Sequence, residues 1–132
     1  MPAPPVFEYS VIRLVPRVER EEFLNVGVVL FCKEHRFLEA RTVVDESRIR
    51  AFAPELDVEE VRAHLEAIRG SATGRRRGPL EKMELAERFR WLVAPRSTII
   101  QASPVHSGTT DDPAGELEHL VQTLVAVATS TG

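Results

Sequence analysis

The stretch LNVGVVLFC, residues 24–32, decides how the rest of the chain is read. Apart from Asn25 and Gly27 it is apolar at odd and even positions alike. A strand with one wet face alternates apolar and polar residues; a strand covered on both faces does not. Residues 24–32 therefore read as an interior strand, and far too short for the roughly 20 apolar residues of a membrane span. To its N-terminal side, FEYSVIRLV (7–15) is rich in β-branched and aromatic residues and stops at Pro16, a second strand. The charged segment VEREEF joins the two. To its C-terminal side, KEHR (33–36) is a turn and FLEARTVV (37–44) alternates, with Leu38, Ala40, Thr42 and Val44 opposed to Glu39 and Arg41. That alternation predicts a half-buried strand at or near an edge. The three strands form an antiparallel meander.

Helical signals follow. Asp45 can cap a short helix that Pro54 stops near Phe52. Asp57 and Glu60 have the form of a capping box, and Val58, Val61, Leu65 and Ile68 recur at helical spacing as far as Gly70. GSATGRRRGP (70–79) reads as a flexible loop, and Leu85, Phe89 and Leu92 mark a helix ending before Pro95. STIIQAS (97–103) is a candidate fourth strand, and the polar residues after it read as a loop. Asp112 followed by Pro113 is an N-cap with proline at the first helical position, and Leu117, Leu120, Val121 and Leu124 supply the apolar stripe. The order β-β-β-α-α-α-β-α implies an α+β domain: a mainly antiparallel sheet of about four strands, a three-strand meander plus one later strand, with helices packed on it.

At 132 residues, 43% hydrophobic and 28% charged, the chain is expected to be one globular domain spanning 1–132. A chain of this length buries roughly two-thirds of its unfolded surface, so folding requires no disulfide or metal. The lone Cys32 excludes an intramolecular disulfide and reads as a small buried hydrophobe. The N-terminus lacks a positive start followed by an apolar region, so an intracellular, cytoplasmic protein is expected. The net charge of −3 exerts no general pull on nucleic acid. All 17 basic residues lie within 1–96, and the last 36 residues carry only Asp111, Asp112, Glu116 and Glu118 as charges.

Several side chains have both a functional and a structural reading. By strand parity Asn25 and Gly27 share a face, and with Arg13 of the neighbouring strand they would form a small polar hollow. The structural reading makes Gly27 a bulge or a close approach and lets Asn25 satisfy nearby backbone. Arg96 and Ser97 offer donors to a phosphate or carboxylate, and His106 and Arg90 could join them. Ser, His and Asp co-occur in 103–112, but a triad is a geometry and Asp112 is better used as a cap. Arg75, Arg76 and Arg77 form a short basic run without a nearby aromatic residue, which makes nucleic-acid binding the weaker reading beside a solvated loop. The four histidines show no metal-ligand spacing, and there is no phosphate loop or dinucleotide fingerprint, so no metal or cofactor is expected.

Three separated blocks carry a resemblance. They are Y-S-x-x-R (Tyr9, Ser10, Arg13), E-F-x-N-x-G-V (Glu22, Phe23, Asn25, Gly27) and R-F-x-x-x-x-x-P-R-S (Arg88, Phe89, Pro95, Arg96, Ser97). Together they resemble the bacterial family described as domain of unknown function 3037, over nearly the whole chain. The family carries no defined activity. Its tendency to be encoded beside a HipA-like kinase implies a regulatory or adaptor role with such a protein partner. The leading expectation is thus a non-catalytic domain that binds a protein. The alternative is a small enzyme or ligand-binding domain for an anionic substrate, using a polar pocket of Arg13, Asn25, Arg90, Arg96, Ser97 and His106.

Overall fold

The structure, a computed structural model, describes residues 3–74, 83–96 and 98–126. The stretch read as an interior strand is β2 (Leu24–Cys32), flanked by β1 (Val6–Leu14) and β3 (Phe37–Thr42) as an antiparallel meander. β3 is an edge strand, as its alternation implies. Helices α1 (Glu46–Phe52), α2 (Val58–Thr73) and α3 (Leu85–Leu92) follow. Short strands β4 (Ile100–Ala102) and β5 (His106–Thr109) then lead to α4 (Pro113–Leu124). The sheet has five strands in the order β3-β2-β1, with β4 and β5 both on the outer side of β1. The fold is α+β.

β2 is apolar on both parities because helices cover both its faces. Val28, Leu30 and Cys32 pack with Phe7 against Leu117, Leu120 and Val121 of α4. Val29 and Phe31 pack with Leu38 against Ala72 of α2 and Phe89 and Leu92 of α3. The third cluster joins Ile12, Leu14 and Val26 to Ile49 of α1 and to Val58, Val61 and Leu65 of α2. Side-chain oxygens of Asp45, Asp57 and Asp112 accept from the backbone N–H groups of Arg48, Glu59 and Gly115, so all three expected caps form.

Strict alternation would put Val26 on the same face as Val28. It lies on the opposite one. The register passes from Ile12 opposite Gly27 to Arg13 opposite Asn25, so Val26 is the extra residue of a β-bulge. This corrects the expectation that Asn25 and Gly27 share a face. Gly27 faces the α1–α3 side, where an added Cβ would lie 2.7 Å from the Arg41 carbonyl oxygen and 3.1 Å from Ile12 and Thr42 side-chain carbons. Asn25 faces the α4 side, where its Nδ2 donates to the Leu124 carbonyl at 3.0 Å. Arg48 donates to the neighbouring Val125 carbonyl at 2.8 Å, so an amide and a cation together meet the C-terminal end of α4.

The polar segment read as a loop also contains a strand. β4 and β5 pair with consecutive parts of β1 and are one edge strand broken at residues 103–105. Pro104 cannot donate to a ladder, and Ser10 and Ser103 bridge the break. Ser103 Oγ accepts from the Val11 N–H at 2.8 Å, and Ser10 Oγ donates to the Ser103 carbonyl at 2.7 Å. The two serines are 0% and 3% exposed. In β5, Gly108 sits beneath Phe7, whose ring an added Cβ would meet at 2.9 Å. An aromatic ring covering a cross-strand glycine is what lets this glycine belong to a strand.

α2 runs past Gly70 to Thr73. A mid-helix glycine costs about 1 kcal/mol relative to alanine, and the extra turn buries Ser71 and Ala72. Gly74 ends it in the left-handed conformation at φ 76°.

Two stability measurements check these assignments. Ser103→Ala strands the buried Val11 N–H and should cost about 1–3 kcal/mol, read as a lower urea midpoint at unchanged slope. Gly27→Ala should cost about 1–3 kcal/mol by overpacking against a strand backbone that cannot swing aside. A neutral Gly27→Ala variant would remove the close approach of β3 as the reason for glycine there.

Candidate functional site

α3 carries three side chains with three different tasks. Phe89 faces the core and stacks on Phe31, centroids 5.5 Å apart. Arg88 is only 7% exposed and donates to the carbonyls of Ala72 and Met83, each at 3.3 Å. Those carbonyls lie on either side of residues 75–82, so Arg88 ties the end of α2 to the start of α3. Trp91 belongs to neither group. It is off the Leu85–Phe89–Leu92 stripe and 43% exposed.

Beyond α3 the chain turns at Val93 and Ala94, and Pro95 prevents the helix from continuing. Arg96 then folds back. Its Nη2 donates to the Trp91 carbonyl at 2.7 Å and its guanidinium carbon lies 4.1 Å from the centroid of the Trp91 ring. The cation thus adds a donor to a carbonyl at a helix C-terminus that also accepts from the Ala94 N–H at 3.4 Å, and covers an aromatic face. Arg96 is half-buried, and no carboxylate of the described residues pairs with it.

Beside this pair lies a groove of about 160 Å³ between α2 and α3. Its wall on α2 consists of His64, Ala67, Ile68 and Ser71, and its other side of Trp91, Leu92, Arg96, Thr98 and Ile100. A smaller cavity of about 20 Å³ continues from Ile68, Leu92, Arg96 and Ile100 toward Ile12 and Val29 of the sheet. The groove thus combines apolar side chains (Ile68, Leu92 and Ile100) and the buried Ser71 with an aromatic ring and a cation. Two wider clefts, each of about 310 Å³, lie elsewhere and are lined mostly by charged side chains.

The expected polar residues are distributed over both faces of the sheet. Arg13 and Asn25 are cross-strand partners on the α4 side, and the Arg13 guanidinium lies 4.0 Å from the Phe23 ring centroid. His106, in β5, is also on that side, with its ring centroid 5.3 Å from that of Tyr9. Arg96 is on the α1–α3 side, and so is Arg90, which borders a separate cleft with Val6, Glu8 and Phe31. These residues do not converge in one concavity. Ser97 and Arg75–Arg77 lie outside the described residues. Asp112 is occupied as the cap of α4, and among the described residues no group of three His, Cys, Asp or Glu is placed to hold a metal. No described helix is long and apolar enough to cross a membrane.

Sequence reasoning selected Arg96 and missed Trp91 and His64. A signal for Trp91 was present: it is the chain's single tryptophan, off the apolar stripe of its own helix. Large exposed aromatic side chains are informative where scattered exposed leucines are not.

The family model described as "Protein of unknown function (DUF3037)" matches residues 9–125. The chain belongs to this family. It matches none of the curated proteins and none of the solved structures compared with it. The structure shows what the motif residues of this DUF3037 chain do. Ser10 spans the broken edge strand, Asn25 holds the end of α4, Gly27 admits β3, and Arg88 closes the α2–α3 junction. Among the described motif residues, Arg96 alone borders the groove.

The difference between the two arginines is measurable. Arg88→Ala should destabilise the fold by about 1.5–3 kcal/mol, because charge-assisted bonds to buried carbonyls are lost. Arg96→Ala should cost under about 1 kcal/mol while shifting the emission of Trp91. Equal losses in denaturant titrations would make Arg96 a structural residue like Arg88.

Proposed function

We propose that this DUF3037 protein is a non-catalytic domain that binds a protein partner through the Trp91–Arg96 groove. The observation that carries the reading is an exposed tryptophan held by an arginine beside apolar side chains in one groove. Tryptophan and arginine are the residue types that dominate binding energy at protein interfaces, where they surround or fill desolvated pockets. Trp91 is also held in place before binding, since Arg96 both stacks on it and bonds to its carbonyl. Ordering the contact in advance lowers the entropy lost on association. A HipA-like kinase is the partner that the family resemblance favours, with a regulatory or adaptor role for the domain.

The alternative, a small enzyme for an anionic substrate, requires the convergence of Arg13, Asn25, Arg90, Arg96 and His106. Their division between the two faces of the sheet argues for the binding domain instead.

Tagged protein purified from its native host after nuclease treatment should carry one stoichiometric companion, identified by mass spectrometry. In Trp91→Ala, recovery of that companion should fall at least tenfold while the melting temperature stays within a few degrees of the parent. Co-expression with a HipA-like kinase from the same genome tests the named partner directly. A companion retained in full by Trp91→Ala, or none at all, sinks the proposal.

A further inference from the structure

We infer that the groove receives the C-terminal residue of a partner polypeptide, an apolar side chain inside and its α-carboxylate on Arg96. This rests on the groove being a protein-binding site and names the chemistry of what enters it.

Size is the first argument. At about 160 Å³ the groove is well under the roughly 300 Å³ at which drug-sized sites begin. It suits one side chain, not a cofactor or a helix. Charge is the second. Arg96 is half-buried against Trp91, has no carboxylate partner among the described residues, and spends one of its five N–H donors on the Trp91 carbonyl. The remaining fork matches a carboxylate in geometry and charge. His64 lines the same groove, and its Nε2 lies 3.9 Å from a Glu60 carboxylate oxygen.

Proximity is the third argument. Ile68, Leu92 and Ile100 line the groove together with Arg96, so the anion and the apolar group of the ligand lie close together. A chain terminus satisfies this, because its carboxylate and its side chain share one Cα. Capture of a terminal carboxylate beside a side-chain pocket is a recurring mode of peptide recognition.

The chain's only tryptophan borders the groove, so its emission reports occupancy in the intact protein without a label. The probes are acetyl-Ala-Ala-Ala-Leu as the free acid and the same peptide as its C-terminal amide. The free acid should give a saturable change in Trp91 emission, with affinity at least tenfold above that of the amide. Arg96→Gln should abolish the preference for the acid. Ala67→Phe, which fills the groove from α2 and leaves Arg96 in place, should abolish the response to both peptides.

Equal responses to acid and amide overturn the inference, as does an acid preference that survives in Arg96→Gln. A parent protein silent to both peptides also overturns it. If any of these occurs while Trp91→Ala still loses the native companion, the groove binds protein through another chemistry and only the terminal-carboxylate assignment fails. If Trp91→Ala keeps the companion, the binding-site reading fails with it.

Discussion

Covering both faces of β2 imposes a matching condition on every neighbour. A strand between two helical layers must send suitable apolar side chains in both directions, and its partners must stay in register while it does so. Here the register changes once, at Val26, and the change has consequences on both sides. The bulge turns Val26 toward α1 and α2, leaves Gly27 beneath the Arg41 backbone, and turns Asn25 toward α4. Asn25 and Arg48 then hold the carbonyls of Leu124 and Val125, which locks α4 over the opposite face. The pair of motif residues that looked like a polar hollow is therefore a device for joining two layers.

A similar economy governs the region from α2 to β4. Two motif arginines, eight positions apart, both donate to backbone carbonyls near helix ends. Arg88 does so from inside, against Ala72 and Met83, where loss of its charge-assisted bonds is costly. Arg96 does so at the surface, against Trp91. Surface placement leaves most of its donors unused by the fold and brings them to the groove. What distinguishes a structural arginine from a candidate binding arginine here is surplus hydrogen-bonding capacity next to solvent.

Much of the architecture was legible. The two-sided apolarity of residues 24–32, the alternation of 37–44 as far as Thr42 and the aspartate caps at 45, 57 and 112 each rest on local rules, and each describes the folded chain. The misses share a cause. His106–Thr109 has almost no strand propensity of its own and is a strand because β1 offers it an edge and Phe7 covers Gly108. α2 crosses Gly70 because Ala72 finds a place in the core. Asn25 and Gly27 part company because a bulge is a property of two strands, invisible in one.

The candidate site was legible only as an inventory. Residue types at fixed spacing determined by themselves the α+β class, the meander, the capped helices and the three motif blocks of a DUF3037 chain. These follow from periodicity and capping, which act over a few residues. Tertiary structure alone decided that Arg13, Asn25 and His106 face one way and Arg90 and Arg96 the other. It alone set Trp91 and Arg96 beside His64, 27 positions from Trp91 in sequence. A groove is a relation between elements distant along the chain, and only the packing of α2 against α3 over the sheet brings its two walls together.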